Sequence, residues 1–433
     1  MKGPSSGMEF EYTGEEAARL DAGDGLAGFR EKFVIDDPSL IYLDGNSLGR
    51  LPVAAADVVS DAVREEWGKR LVESWNDGWI DLPGAMGAKI ARIIGAQEDE
   101  VVMTDSTSVN LFKLASAALG AARGRKVIVS DEFNFPSDLY VLQGVAAAAG
   151  EDFALKLARS KDGITIDIDG LLSLIDADTA LVCLTQVAFR SGFMYDIDSI
   201  TKAAHDAGAM VLWDLSHSAG AVPVDLSAAG ADLAVGCTYK YLNGGPGSPA
   251  YLYVRKDRQE ELLSPIQGWF AAHKPFAFDR DFRPAQGISR FLAGTPPVLS
   301  MRAAEPGLDL ILEAGIEAIR EKSVWLSTYL IGLSREILDA SEFSPGWPED
   351  PAIRGSHVSL RHAEAFRICS AMKNPPEGEI RVIPDFREPD NIRLGLSPLY
   401  NTFGEVYAAV QRISRIVEAG EFMEHSDKRG EVT

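Results

Sequence analysis

The stretch "VLWDLSHSAGAVPVDLSAAGADLAVGCTYKYLNGGPGSPAYLYVRK", residues 211–256, decides the fold. Its short runs of β-branched and aromatic residues predict strands, and glycine, proline and alanine fill the segments between them. Asp214 stands where one run ends, and Lys240 ends a later run twenty-six positions on. The carboxyl ends of parallel strands meet at one edge of a sheet, where ligands gather. We therefore expect Asp214 and Lys240 to serve one site.

The same alternation of strands and helices extends towards the N-terminus. Further strands are predicted at "VVMTDS" from Val101, "KVIVSDE" from Lys126 and "ALVCLTQV" from Ala180, and "DIDSITKAAHDAG" from Asp196 has the apolar spacing of a helix. Strands that alternate with crossover helices predict an α/β fold whose mostly parallel sheet is covered on both faces.

A second, smaller domain is predicted after Met301, where a long helical run is followed by the strand-like "GSHVSLRH", a helix from about Ala363 to Lys373 and "NIRLGLSP". This order of elements is typical of a small α+β domain. We place the large domain at residues 51–305 and the small domain at residues 306–433. Residues 1–50 form an N-terminal segment, with one or two helices, that packs near the small domain.

Composition limits the classes of partner. The 433 residues are 46% hydrophobic and 24% charged, as in ordinary globular proteins. A formal net charge of −22 disfavours nucleic acid and anionic membranes as partners. Three scattered cysteines in apolar contexts predict reduced thiols, and "MKGPSSGMEF" lacks the apolar core of a signal peptide. We expect a cytoplasmic protein without a metal site.

Asp214 and Lys240 suit pyridoxal phosphate chemistry. A carboxylate keeps the pyridine nitrogen of that cofactor protonated, and a lysine amine forms a Schiff base with its aldehyde and later moves protons. Taken singly, Asp214 is equally explained as a helix cap and Lys240 as a solvated charge. His217, three residues after Asp214, lies near the cofactor ring or is a structural histidine.

Two further motifs fit the same cofactor. In "VVMTDSTSVNLFK", Thr107 and Ser108 stand at a predicted helix N-terminus, where free amides bind phosphate, although such residues also cap helices that bind nothing. In "DEFNFPSDLY", Phe135 is placed to stack on a flat ring and Asp138 to reach its polar edge. A proline-containing loop with a core phenylalanine is the alternative.

Several separated stretches together resemble the kynureninases of bacteria, from about Ile41 to Tyr407. They are "YLDGNSLGRLP", "SWNDGWIDLP", "DSTSVNLFK", "FPSD", "WDLSHSAG", "TYKYLNGGPGSPAYLYV", "GWF", "FLAGTPPVLS" and "RLGLSPLYNTF". The resemblance implies the aminotransferase-like fold type I of pyridoxal phosphate enzymes. It also implies hydrolysis of kynurenine, and of its 3-hydroxy form, to anthranilate or 3-hydroxyanthranilate and alanine in tryptophan catabolism towards NAD.

The resemblance assigns roles residue by residue. Lys240, Tyr239 and Asp214 are implied as catalytic, with Tyr239 as a proton relay. The cofactor-binding set is implied to be Thr107, Ser108, Phe135, Asp138, Thr185, Asp214, His217, Tyr239, Lys240, Trp269 and Thr295. Of these, Trp269 and Thr295 are implied to come from the partner subunit of a homodimer. Arg393 is implied to bind the substrate α-carboxylate, whose planar shape suits a guanidinium, with Asn46 and Trp79 also at the substrate.

This chain departs from the family pattern at one loop, where Ala188 and Phe189 stand in place of an Asn-Tyr pair. A kynureninase-like enzyme for a ring-substituted kynurenine in secondary metabolism is therefore an open alternative. A cysteine desulfurase or small-molecule aminotransferase would share Lys240 and Asp214, but a desulfurase needs a mobile nucleophilic cysteine. A catalytically silent scaffold protein would be expected to lose the lysine.

Overall fold

A computed structural model describes residues 10–428. Residues 1–9 lie outside the described range, and so does the prediction for the stretch "MKGPSSGMEF", apart from its last residue. The first half contains α1 (Gly14–Ala22), β1 (Ile41–Tyr42), α2 (Val53–Asp61), α3 (Leu82–Ile93), β2 (Val101–Met103), α4 (Thr107–Ala121), β3 (Val127–Asp131), α5 (Pro136–Ala149), β4 (Ala154–Ala158), α6 (Ile168–Ser173), β5 (Thr179–Thr185), α7 (Ile197–Asp206) and β6 (Met210–Asp214).

The second half begins with the rest of the large sheet and ends in the small domain. It contains α8 (Leu226–Ala229), β7 (Leu233–Gly236), β8 (Tyr251–Val254), α9 (Val298–Ala314), α10 (Ile316–Ile337), β9 (Ser344–Pro345), β10 (His357–Arg361), α11 (Ala365–Lys373), β11 (Val382–Ile383), β12 (Asp385–Arg387), β13 (Asn391–Gly395) and α12 (Phe403–Glu418). A π-helical segment, Ala62–Arg70, continues α2.

The large sheet has seven strands in the order β2-β8-β7-β6-β5-β3-β4. The five strands from β7 to β4 are parallel, and β8 runs antiparallel to both β7 and β2. All seven residues of the central strand β5 are buried. The predicted α/β fold with a mostly parallel sheet is confirmed. No strand was predicted at β4, whose edge position leaves its first residue exposed and the next three half-buried.

Alternate residues of each central strand enter two different cores, as expected of a sheet covered on both faces. Val182, Val211 and Ala234 face one core, whereas Cys183, Leu212 and Val235 face the other, which α4 covers. The helix predicted from Asp196 is confirmed as α7, which begins where the Asp196 side chain accepts a hydrogen bond from the Asp198 amide.

The small domain is a four-stranded antiparallel sheet, β12-β13-β10-β9, packed against α10, α11 and α12. The N-terminal segment contacts both domains. Ile41 and Leu43 enter the core of the small domain, and Leu26 and Phe33 enter that of the large one. The proposed domain boundaries stay predictions. Among residues 10–428, no helix is long and apolar enough to span a bilayer.

Candidate active site

A cavity at the carboxyl edge of the large sheet gathers nine of the predicted cofactor-binding residues. These are Thr107, Ser108, Phe135, Asp138, Thr185, Asp214, His217, Tyr239 and Lys240. They come from the first turns of α4 and α5, the last residues of β5 and β6, and the loop after β7. Five chain segments thus meet where a doubly covered sheet exposes its strand ends.

The sequence predicted that Lys240 ends a strand, and this prediction is wrong. Strand β7 ends at Gly236, and the chain then turns away from the sheet: the Asn243 amide donates to the Lys240 carbonyl at 2.9 Å, and the Gly49 amide donates to the Tyr239 carbonyl at 2.8 Å. The turn carries Lys240 over the cavity, where its Nζ lies 3.0 Å from His217 Nε2 and 5.8 Å from the centre of the Phe135 ring.

Asp214 is buried at the end of β6 and is held by the turn that follows it. Its Oδ1 accepts hydrogen bonds from the Ser216 amide at 2.9 Å and the Ser216 hydroxyl at 2.6 Å. The alternative that Asp214 caps a helix is wrong, because no helix begins at the turn after β6. Burial and the neighbouring Asp214 carboxylate raise the pKa of Asp138 well above its ordinary value. Asp138 is therefore harder to ionise than an ordinary carboxyl group.

His217 is a neutral imidazole at neutral pH. Burial and the Lys240 and Arg393 charges lower its pKa well below the ordinary value. Its Nε2 faces Lys240, and its Nδ1 is buried without a hydrogen-bond partner among residues 10–428. His217 therefore contacts the amine of Lys240 rather than the carboxylate of Asp214.

The N-terminus of α4 closes one end of the cavity. Ser106 caps the helix by accepting a hydrogen bond from the Val109 amide, and Thr107 and Ser108 are the first two helical residues. Their amides point out of the helix and suit an anion. The preceding Asp105 has a φ of 45°, a left-handed conformation, and pairs with Lys113, whose side chain is fully buried. This ion pair fixes the turn that leads into the helix.

Arg393 lies on β13, where the small domain meets the large one. Its Nη1 donates to the Phe189 carbonyl at 2.6 Å, and its Nη2 donates to the Ser47 hydroxyl at 2.8 Å and pairs with Asp385. The loop that contains Phe189 also lines the cavity of Lys240. Phe189 therefore connects Arg393 to that cavity, because it lines the cavity and its carbonyl accepts a hydrogen bond from Arg393.

Asn46 is fully buried beside Gly395, two residues after Arg393. Neither its Oδ1 nor its Nδ2 has a hydrogen-bond partner within residues 10–428, and the same is true of Arg393 Nε. Buried polar atoms without partners are costly unless a ligand satisfies them. The two donors among these atoms, Asn46 Nδ2 and Arg393 Nε, suit a carboxylate.

Gly395→Ala is expected to weaken substrate binding, because the new methyl carbon would lie 1.8 Å from Asn46 Oδ1 and force that side chain to move. We expect a Michaelis constant raised about 10-fold and an unfolding free energy lowered by about 1–3 kcal/mol. Steady-state kinetics and thermal unfolding measure both. Gly28→Ala, where an added methyl meets nothing within 4 Å, is the control. An unchanged Michaelis constant in Gly395→Ala would argue against Asn46 at the substrate.

Besides Arg393 and Asn46, three predicted residues do not line the cavity of Lys240 in the single chain. Trp79 packs edge-on against Trp75 at 5.4 Å, and its Nε1 donates to Glu66. Trp269 is 42% exposed and stacks beside Phe278. Thr295 lines a neighbouring cavity that shares Ser106, Tyr239 and Ser248 with the first.

The cavity also has walls that sequence reasoning did not select, namely Ser106, Ser137, Ser216, Cys237, Ser248 and Phe189. Ser106 had a signal, since it is the first hydroxyl residue before a predicted helix. Phe189 was singled out only as a departure from the family pattern. Its ring meets Phe135 edge-on with centres 5.1 Å apart, so it helps to fix the ring that faces the cavity.

Comparison with known proteins agrees with this geometry. The aminotransferase class-V family matches residues 60–344, and the kynureninase C-terminal domain family matches residues 319–413. Kynureninases of Pseudomonas fluorescens and Burkholderia mallei are each 43% identical over 411 residues, which cover 94% of this chain and 96% of theirs. The chain belongs to the kynureninase family. Its kynureninase-like stretches therefore extend over nearly the whole sequence.

Solved structures with a similar fold are more distant than the kynureninases. The cysteine desulfurase of Thermococcus onnurineus NA1 superposes with a TM-score of 0.76 at 18% identity, covering 96% of this chain and all of that one. Cysteine desulfurase CsdA of Escherichia coli gives 0.78 at 19% identity, covering 91% and 99%. A C-DES mutant with glycine covalently linked to its PLP cofactor gives 0.74 at 17% identity, covering 89% and 98%. At these identities the likeness concerns the fold alone.

Proposed function

We propose that this protein hydrolyses kynurenine to anthranilate and alanine with pyridoxal phosphate as cofactor. The observation that carries the proposal is the cavity of Lys240, with Asp214 at one side, the start of α4 at another and Arg393 at the domain junction. These groups lie in a chain that shares 43% identity with a kynureninase over most of its length.

The residues present fit pyridoxal phosphate. The first turn of α4 offers amides and the Thr107 and Ser108 hydroxyls to a phosphate. Phe135, 39% exposed, offers its ring face to a flat heterocycle. Asp138 Oδ2 and His217 Nδ1 are buried without hydrogen-bond partners among the described residues, so both are available to a ligand. Lys240 would hold the cofactor covalently.

Asp138 and Asp214 offer two carboxyl groups to the pyridine ring of the cofactor. Burial and the neighbouring Asp214 raise the pKa of Asp138, so the site disfavours two negative charges at once. A carboxylate beside the pyridine nitrogen would keep the ring protonated. Bound pyridoxal phosphate accepts the electron pair of the bond that breaks in the substrate.

Proton transfers fall to Lys240, His217 and Tyr239. Neutral His217 accepts a hydrogen bond from Lys240, which orients the lysine amine to remove a proton from the substrate α-carbon and return it later. The nearby Cys237 thiol and burial raise the pKa of Tyr239, which keeps its phenol protonated. Tyr239 can then donate a proton to the carbon that leaves as the methyl group of alanine.

The substrate would span the junction between the two domains. Arg393 and Asn46 would bind its α-carboxylate, which would accept hydrogen bonds from the two unpartnered donors, Arg393 Nε and Asn46 Nδ2. Water adds to the aryl ketone, and the bond between the ketone carbon and the β-carbon then breaks. The aryl carboxylate and alanine together contain every atom of kynurenine and one water.

Desulfurase chemistry is disfavoured by the state of the cysteines. Cys183, Cys237 and Cys369 are all free and buried. Burial raises the pKa of each thiol, whereas a nucleophilic cysteine needs a thiolate.

A comparison of kynurenine, 3-hydroxykynurenine and cysteine as substrates tests the assignment. We expect an anthranilate product from the first two and no sulfide from the third; sulfide without anthranilate would overturn the proposal.

A homodimer with shared sites is part of the proposal. The aromatic side chains of Trp269, Phe276 and Phe278 are 42%, 57% and 75% exposed and pack on one another. An exposed apolar cluster of this kind is typical of a protein interface.

A cytoplasmic location and a role in tryptophan catabolism are also proposed, and the three free thiols support a reducing compartment.

Mixed dimers test whether Trp269 serves the partner's site. Lys240→Ala and Trp269→Ala should each be inactive or nearly so as pure proteins. Co-expressed, half of the dimers are hybrids with one intact site, so we expect about a quarter of wild-type activity. Anthranilate fluorescence measures this recovery. No gain over the separate variants would show that Trp269 acts within its own chain or not at all.

A further inference from the structure

The guanidinium of Arg393 is held on three sides by groups from three parts of the chain. The Phe189 carbonyl belongs to the loop after β5, the Ser47 hydroxyl to the N-terminal segment, and the Asp385 carboxylate to β12. The side chain is 1% exposed, so these groups replace water around a buried cation. Only Asp385 among them is charged.

Asp385 is placed by strand register. Strands β12 and β13 are antiparallel, and Asp385 lies directly opposite Arg393, so that both side chains leave the sheet on the same face. Asp385 is itself 1% exposed. Its Oδ2 also lies 2.9 Å from Nε of Arg387, two residues along the same strand. A buried carboxylate thus bridges two guanidiniums, those of Arg393 and Arg387.

We propose that Asp385 is a positioning residue, which orients the Arg393 guanidinium so that its unpartnered Nε meets the α-carboxylate of an amino-acid substrate. The inference rests on the proposed function, because it takes Arg393 as the carboxylate-binding group. Arg393 Nε is the buried guanidinium atom without a hydrogen-bond partner among residues 10–428, and Asp385 pairs with Nη2 of the same group.

The charges around Arg393 are consistent with a positioning role for Asp385. A substrate carboxylate brings a negative charge to a site where Arg393 is already paired with Asp385. The Arg387 charge offsets part of that negative charge, since it contacts the same carboxylate. Without Asp385, the Arg393 and Arg387 guanidiniums would lose the carboxylate that contacts both, with only Asp44 left nearby, and would repel each other more strongly. Arg393 would then turn away from the position in which its fork faces the substrate.

Ligand binding to the cofactor-loaded protein tests the proposal without kynurenine turnover. L-Alanine and ethylamine differ only in the carboxylate, and their binding is followed by the change in cofactor absorbance. In Asp385→Asn we expect alanine affinity to fall about 10- to 100-fold, whereas ethylamine affinity changes less than about 3-fold. Glu377→Gln, which removes an exposed negative charge elsewhere in the small domain, should bind both ligands as the wild type does.

The binding of alanine and ethylamine to the variants decides whether Asp385 positions Arg393. Equal losses for alanine and ethylamine in Asp385→Asn, or no loss at all, would overturn the positioning role. If Asp385→Asn does not fold, Asp385→Glu keeps the charge but displaces it by one methylene, and it must still lower alanine affinity selectively. If the wild type does not prefer alanine over ethylamine, then Arg393 is not a carboxylate site. That result would overturn the assignment of Arg393 and, with it, the role of Asp385.

Discussion

Lys240→Ala is expected to abolish turnover. Lys240 Nζ is the amine placed beside neutral His217 and over the Phe135 ring, and no other lysine lines the cavity among the described residues. Loss of the covalent link and of the proton carrier should lower the turnover number by at least about 10⁴-fold. Borohydride reduction of the wild type, followed by peptide mass spectrometry, should find the cofactor on Lys240.

The matched control for this change is Lys202→Ala. Lys202 is exposed on α7, paired with Asp206 and remote from the cavity, so its loss should leave turnover and cofactor attachment unchanged. Cofactor attached to another lysine in the wild type, or turnover of Lys240→Ala within about 10-fold of normal, would remove the basis of the proposed site.

Arg393→Lys is expected to raise the Michaelis constant for kynurenine about 100-fold with a much smaller change in the turnover number. Lysine keeps the positive charge beside Asp385 but loses the planar fork that pairs with a carboxylate through two hydrogen bonds. Saturation kinetics separate the two constants. Binding of the substrate, rather than the chemical step, should carry the loss.

Arg381→Lys makes the same replacement at an exposed position of the small domain and should leave both constants unchanged. A Michaelis constant within about 2-fold of the wild type in Arg393→Lys would place the substrate carboxylate elsewhere.

Local features of the sequence predicted the large sheet and seven of the residues that line the cavity, whereas Thr185 and Tyr239 came from the family resemblance. The buried runs that end at Thr185 and Asp214 became adjacent parallel strands, and the hydroxyl-rich turn before α4 became a helix start. These signals lie within a few residues of one another, so periodicity and capping detect them. The β4 strand escaped detection because an edge strand with exposed and half-buried residues resembles a loop in sequence.

Long-range contacts could not be predicted in the same way. Ser47 and Arg393 are 346 positions apart, and nothing local to either residue indicates their hydrogen bond. The role of Asp385 depends on the register of β12 against β13, which a sequence alone does not fix. The Lys240 turn differed from the expected strand end because a glycine from the N-terminal segment, Gly49, binds the backbone there.

The most direct test of the account is to incubate the purified, cofactor-loaded protein with kynurenine in ¹⁸O-labelled water. Hydrolytic cleavage predicts anthranilate and alanine in equal amounts, with one labelled oxygen in the anthranilate carboxylate and none in alanine. Mass spectrometry reads both products. Alanine without anthranilate, or anthranilate without the label, would contradict hydrolysis of the carbon–carbon bond at this site.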